Sequence, residues 1–372
     1  MLKIIEIKNK KGFKKFIDLP YDIYKYDKNW IPPLRYDLMN KLVGKNNPLF
    51  SSGDHSFFMV YNDNKPLGRI CVGINDDLNK KKGINEGYIS LFECINDKDV
   101  AFLLFDTAVK WLKDRGMNSM RGPVSPTNGD DYKGLLVKGF DGPPVLMNSY
   151  NPEYYVKLFE YYGFQKFYDL YAYYYDLSNA DFKKYGKVVE FAMKRYNYHI
   201  DKIDLKRFDR EITDIKKILD ISMPMEWEDL TVPSLEDIKA EVKNLKRMVD
   251  PDIIVIARSM DTPIGFAVAL PDYNQVLKHL GGRLFPFGLF KLLWYKRKIN
   301  SGRLFIMFVI PEYRKKGVSS AMLYKIFEEG LKKGYIYGEG STIGETNLAM
   351  RRDVEGFGGK HYRTYRIYKK QI

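Results

Sequence analysis

The sequence predicts an α/β protein (α+β by looser naming) in which one unit, a mixed sheet flanked by helices, occurs twice. Three observations carry this. Phe57–Ile74 (FFMVYNDNKPLGRICVGI) and Ile253–Leu270 (IIVIARSMDTPIGFAVAL) share one pattern: an apolar run, a polar turn with a proline, then a second apolar run. That is the signature of a hairpin. The spacing also repeats, since Pro66 and Pro263 lie 197 residues apart and Asn151 and Asn347 lie 196 apart. A fixed offset between matching signposts marks a duplication. Finally, strands and helices alternate after each hairpin, which builds mixed sheets covered by helices.

In the first half a helical region precedes the hairpin. Tyr88–Cys94 follows as a third strand. A helix over Val100–Arg115 places Val100, Leu103, Leu104, Ala108, Trp111 and Leu112 near helical spacing. Gly122–Pro144, dense in Gly, Pro, Asn and Asp, reads as a long ordered loop. Such loops are commonly functional. A second helix and an aromatic strand, Tyr168–Tyr175, close the half. The polar, charged stretch Ser178–Lys187 predicts the junction, giving domains 1–180 and 188–372. The second half repeats the order: a strand at Leu304–Ile310, a helix at Ser320–Lys333 with Leu323, Ile326, Phe327 and Leu331 on one face, and a closing strand at Tyr362–Tyr368. Each closing strand is expected to complete its own unit.

Composition narrows function. With 372 residues the chain exceeds one ordinary core, and 45% apolar residues exclude disorder. Cys71 and Cys94 cannot build a disulfide framework and lack metal-ligand spacing. His55, His199, His279 and His361 are scattered, so no metal site is expected. MLKIIEIKNKKGFKK has charges breaking its apolar residues and is not a signal peptide. The apolar run Leu304–Ile310 is far too short to span a bilayer. A cytoplasmic protein is expected, with peripheral association at the inner membrane face as an alternative. The net charge of +14 suits an anionic partner: nucleic acid, a membrane surface or a phosphorylated ligand.

Leu304–Met322 (LFIMFVIPEYRKKGVSSAM) carries the chemistry. A strand runs into Pro311, then a loop with Arg314, Lys315, Lys316 and Gly317, then a helix opened by Val318, Ser319 and Ser320. The serines are natural cap or first-turn residues. Free N–H groups and the helix dipole at such a start attract anions. Three adjacent cations suit a phosphate-bearing ligand.

This stretch resembles the pyrophosphate loop of the GCN5-related N-acetyltransferase (GNAT) family, whose pattern is Gln/Arg-x-x-Gly-x-Gly/Ala. Arg314, Gly317 and Ser319 fall on its fixed positions, with Ser in place of Gly or Ala. The resemblance implies acetyl-CoA or a longer acyl-CoA as co-substrate. It implies pyrophosphate on the amides of the 314–320 loop and pantetheine along the backbone of Phe308, Val309 and Ile310. Asn347 falls where the family often places a cofactor contact. The Tyr that many members use to protonate the leaving thiolate is replaced by Val354. The first half keeps Asn151, Gly163 and Phe164 of the later motif but has INDKDVAF where the loop belongs. Asp97 and Asp99 there would cap the helix and repel pyrophosphate, which makes it a degenerate copy. NWIPPLR (Asn29–Arg35), HSFFMVYN, NPEYYVKLFEYYGF and TYRIYKK (Thr364–Lys370), together with the 122–144 loop, resemble a narrower tandem-domain bacterial family that includes bacterial ceramide synthase-like proteins.

The expected reaction is acyl transfer from a coenzyme A thioester to a primary amine, either a small molecule or lipid-like. Candidate bases are Glu339, Asp272 and Glu345. His361 is a weaker candidate, and Tyr362 or Tyr365 could replace the missing acid. Two other classes stay open: a non-catalytic acyl-CoA sensor, and a nucleic-acid-binding protein, although no nucleic acid partner is expected. The insertion Asp272–Asn300 reads first as a short core or interdomain segment. Its basic residues beside Leu284, Phe285, Phe287, Phe290 and Trp294 also fit peripheral membrane contact through 283–298 or an acyl-chain element.

Overall fold

The computed structural model describes residues 1–43, 47–178, 183–226, 230–245 and 248–372. The elements open with β1 (Leu2–Glu6), α1 (Lys10–Ile23), α2 (Arg35–Val43) and α3 (Pro48–Ser51). Next come β2 (His55–Asn62), β3 (Lys65–Ile74), α4 (Asp76–Lys82), β4 (Glu86–Cys94) and α5 (Lys98–Lys113). β5 (Ser119–Gly122), β6 (Leu135–Lys138), α6 (Tyr154–Tyr161) and β7 (Gln165–Asp176) complete the first half. The second half begins with α7 (Lys183–Arg195), β8 (His199–Lys202), α8 (Phe208–Glu226) and α9 (Leu235–Leu245). β9 (Ile254–Ser259), β10 (Thr262–Pro271), α10 (Asn274–Leu277), α11 (Gly288–Lys296) and β11 (Ser301–Val309) follow. The last are α12 (Val318–Lys332), β12 (Tyr337–Gly344), α13 (Leu348–Gly356) and β13 (Lys360–Gln371).

Two compact units form. Unit 1 takes 1–170, 274–295 and 363–372, and unit 2 takes 171–273 and 296–362. Residues 179–182, inside the expected junction, lie outside the described residues. Unit 1 orders its sheet β1-β2-β3-β4-β5-β13, with β6 also on β13. Side chains alternate across β2 and β3, as strand geometry requires. Phe57, Met59, Tyr61 and Cys71 pack on Phe13, Phe16 and Ile17 of α1. Phe58, Val60, Ile70 and Val72 pack on Leu104, Phe105 and Ala108 of α5. Unit 2 orders its sheet β7-β12-β11-β10-β9-β8 around a core that includes Ile256, Phe266, Phe308, Leu323 and Phe327.

The two hairpins use the same turn. Asp63 (φ 51°) follows β2 and Met260 (φ 52°) follows β9, each the first of two turn residues. A positive φ at that position matches the right-handed twist of the flanking strands.

Three expectations are corrected. The closing strands are exchanged: the Arg363–Gln371 part of β13 joins unit 1, pairing Tyr368 with Gly122, while the Tyr171–Asp176 part of β7 joins unit 2. Both strands are aromatic and alternating, so their sequences do not say which sheet each completes. The 122–144 loop contains a strand, β6, whose Leu136 pairs with Tyr365. Finally, the 272–300 insertion is a core segment only in its first part, where Tyr273, Val276 and Leu280 are buried. Phe285 (76% exposed), Phe290 (73%) and Trp294 (62%) face solvent, while Gly288 is buried and Leu292 and Tyr295 are partly buried.

Candidate functional site

The site is built on unit 2. β10 runs antiparallel to β11, with Pro271 opposite Gly302 and Gly265 opposite Val309. The register slips once: Val268 faces Ile306 and Ala269 faces Leu304, so Phe305 is an extra residue. β12 runs parallel to β11 from Ser301 opposite Tyr337 to Leu304 opposite Gly340. The bulge therefore falls where the parallel register ends, and a bulge bends its strand. Ile310 N–H donates to the Ile264 carbonyl at 2.9 Å. Hydrogen-bonded and non-hydrogen-bonded pairs alternate along an antiparallel ladder. Met307 and Val309 thus turn their peptide groups away from β10. The side chains of Phe308, Val309 and Ile310 are buried, which leaves backbone for any ligand.

Residues 310–317 lead from β11 into α12. Arg314 Nε donates to the Val309 carbonyl at 3.3 Å, folding the loop back on its strand. Lys315 sits at φ 61° and Gly317 at φ 76°. Gly317 occupies the N-cap position, and no side chain caps the helix. Ala321 N–H donates to the Gly317 carbonyl at 2.9 Å, the first bond of the helix. The N–H groups of Val318, Ser319 and Ser320 therefore stand at a positive helix end beside three cations, an arrangement that fits a phosphate.

Glycine is required at 317 on two counts. Its φ disfavours any Cβ, and a Cβ there would lie 3.1 Å from that of Ala192 on α7. Tyr198 O–H donates to the Lys316 carbonyl at 3.2 Å. Burial pushes the Tyr198 hydroxyl up to about 12, so it stays a neutral donor. The Lys316 ammonium lies 4.5 Å from the centre of the Tyr313 ring. Ser319, expected as a cap or first-turn residue, lies in the first turn of α12, and its Oγ donates to Asp353 Oδ2 at 2.5 Å and ties α12 to α13. Asn347 caps α13: its Oδ1 accepts from Met350 N–H at 3.1 Å. Val354 is fully buried, so the position gives no acid.

The candidate bases do not converge. Glu339, 2% exposed on β12, stands opposite Arg303, which is fully buried. Its carboxylate accepts from Ser341 Oγ and from the Tyr362 hydroxyl. Arg303 donates from Nε and Nη2 to the Ser341 carbonyl at 3.2 and 3.0 Å. Glu339 also borders a small cavity with Leu304, Tyr337 and Phe327. Asp272 is buried at the same end of the strands, and its N–H donates to the Ser301 carbonyl at 2.9 Å. Glu345 follows β12 on the other side, where its carbonyl accepts from Arg351 Nη1 at 3.0 Å. His361 packs 4.6 Å from the Tyr171 ring centre. Tyr365 is buried in unit 1. Arg303 and Ser341 were not singled out by sequence; an arginine opening an otherwise apolar strand was the available signal.

Unit 1 holds the matching frame without the loop. Gly68 faces Cys94 as Gly265 faces Val309, and the β3–β4 register slips near Leu91, which has φ 53°. Residues 95–97 then enter α5 directly, and the Asp97 carboxylate accepts from Asp99 and Val100 N–H at 2.9 and 3.1 Å. The donors free in α12 are taken in α5.

Residues 212–352 match the family model described as the acetyltransferase (GNAT) family. The chain is 30% identical to a bacterial ceramide synthase of Caulobacter vibrioides, covering 100% of this chain and 98% of that protein. It is 32% identical to Protein YghO of Escherichia coli, covering 98% of this chain and 94% of that one. Its fold is similar to a tandem GNAT protein from the clavulanic acid biosynthesis pathway, with a TM-score of 0.60 at 10% identity over 100% of this chain and 98% of that one. A GCN5-related N-acetyltransferase from Sphaerobacter thermophilus gives a TM-score of 0.55 at 10% identity, covering 99% and 95% of the two chains.

Proposed function

The chain belongs to the GNAT family and is an N-acyltransferase, and from that premise we propose that it moves an acyl group from a coenzyme A thioester to a primary amine. The observation that carries the thioester assignment is the uncapped α12 N-terminus behind Gly317, flanked by Arg314, Lys315 and Lys316. Acetyl-CoA or a longer acyl-CoA is the co-substrate in this reading. The acceptor is a lipid-like amine in its finer form, supported by the name of the Caulobacter relative, since a ceramide is an N-acylated lipid amine. Residues 188–372 supply the acyl-CoA-binding half, and 1–180 are a degenerate copy whose Asp97 cap excludes pyrophosphate.

In the proposed mechanism the amides of Val318, Ser319 and Ser320 hold the pyrophosphate, with Lys315 and Lys316 supplying charge. Backbone of β11 on the side away from β10 lines the pantetheine, running from the loop toward the Phe305 bulge. Met307 or Val309 N–H donates to the thioester oxygen, where negative charge develops. The amine nitrogen bonds the thioester carbon as the C–S bond breaks, coenzyme A leaves as the thiolate, and the amine's proton passes along a chain of water to Glu339. It lies opposite Arg303, six residues before Val309 and roughly 20 Å along the strand at about 3.3 Å per residue. A ligand extended from the loop past the bulge would approach it. Asn347 contacts the cofactor in the family pattern and caps α13 here; Asp272 and Glu345 are alternative bases.

Thermal shift with acetyl-CoA and palmitoyl-CoA tests the reading. A ligand at 100 times its Kd adds about 2.7 kcal/mol, a rise of several degrees. Gly317→Val should abolish the rise. A shift that survives in this variant refutes the loop assignment, and no shift with either thioester refutes the cofactor. Thiol release across an amine panel then separates an enzyme from a sensor.

A further inference from the structure

Residues 274–295 are held firmly in unit 1. Asn274 Nδ2 donates to the Pro144 carbonyl at 2.8 Å, and Arg35 N–H donates to the Gly282 carbonyl at 3.2 Å. His279 stacks on Tyr295 with ring centres 3.7 Å apart. On this fixed base the segment presents its largest apolar side chains outward. Phe285, Phe287, Leu289, Phe290, Leu293 and Trp294 are all exposed.

An α-helix turns about 100° per residue. On α11 that puts Leu289, Leu293, Phe290 and Trp294 in one arc of roughly 140°. Exposed Lys291 and Lys296 lie just outside its two borders, and exposed Arg283 precedes Phe285 and Phe287 in the loop before the helix. Water-facing helices normally carry this pattern in reverse. A wide apolar face that carries two aromatic rings and is rimmed by cations is the composition that lies in a bilayer interface. Cations near such a surface are drawn to anionic headgroups.

We propose that 283–296 is a docking element by which the protein sits on an anionic phospholipid surface, with Phe285, Phe287, Phe290 and Trp294 entering the headgroup–acyl boundary and Arg283, Lys291 and Lys296 meeting phosphates. The charges select lipid as the occupant, because a second copy of this face would bring like charges together. The inference stands apart from the acyl-transfer reading: it uses neither the 314–320 loop nor Glu339.

The test is co-sedimentation of the full chain with vesicles of phosphatidylcholine alone and of phosphatidylcholine with roughly one-third phosphatidylglycerol. Partition to the anionic vesicles should be at least about tenfold stronger. Phe290→Ser with Trp294→Ser should lower it at least about tenfold while the melting temperature stays unchanged, since both rings face water. Lys291→Glu with Lys296→Glu should remove the preference for anionic lipid. Gly317→Val should bind vesicles as the wild type does, so failure of the cofactor reading leaves this one standing. Equal partition to both vesicles, no partition, or wild-type partition by the double serine variant would overturn the proposal. So would a dimer that the serine variant converts to monomer without changing vesicle binding.

Discussion

Glu339 concentrates the chemistry of the proposed reaction in one carboxylate. It is buried against Ser341, Tyr362 and the register position of Arg303, and a base in that setting needs a path for its proton. Glu339→Gln should lower kcat by about 10²–10⁴, the usual contribution of general base catalysis. The thermal shift caused by acyl-CoA should persist, because the loop is untouched. A parallel loss of rate and binding would mean that the residue only holds β12 in place. The geometry around Arg314 and Gly317 was legible because it is local, a single strand–turn–helix. The Glu339 network was not, because Arg303, Ser341 and Tyr362 come from three strands and meet only through pairing. Ser319 shows the same limit. Its place in the first turn was expected, but the partner of its hydroxyl, Asp353, lies 34 residues further on.

Element boundaries were read closely where periodicity was strong. The hairpins, the third strands and the helices α5 and α12 fall within a few residues of expectation. The strand β6 was missed because four residues, LLVK, carry too little pattern inside a glycine-rich loop. The 272–300 insertion was read as one piece and is two: Tyr273, Val276 and Leu280 are buried, while Phe285, Phe290 and Trp294 face solvent, and apolar composition alone does not separate the two fates. Asn347 has two readings at this scale, as the α13 cap and as a cofactor contact. Asn347→Ala should cost about 1 kcal/mol of stability by losing the cap. Asn347→Asp keeps the acceptor and should leave chemical denaturation unchanged. If the amide also meets the cofactor, acyl-CoA affinity falls in both variants. If affinity falls in neither, the residue is a cap alone.

At the level of the whole molecule, duplication was legible from two offsets, while the exchange of closing strands was not. Unit 1 depends on residues 363–372. Tyr368 is buried in its core, and Arg366 holds Asp169 through Nε and Nη2 at 2.8 and 3.1 Å. Losing a buried aromatic side chain alone costs about 3–5 kcal/mol. Ending the chain after Tyr362 should therefore speed hydrogen exchange most in Ser119–Gly122 and Leu135–Lys138. Protection lost first in β11 and β12 would contradict the exchange. The same arrangement sets a schedule for biosynthesis. Unit 1 begins at the N-terminal side of the chain yet cannot close until residue 372 has left the ribosome. At about 5–20 residues per second, the stretch after residue 170 takes roughly 10–40 s. Through that interval β5 lacks its neighbour and offers an unpaired strand edge, the kind of surface that other nascent chains can join. Chaperone capture should therefore concentrate on the half that is made first.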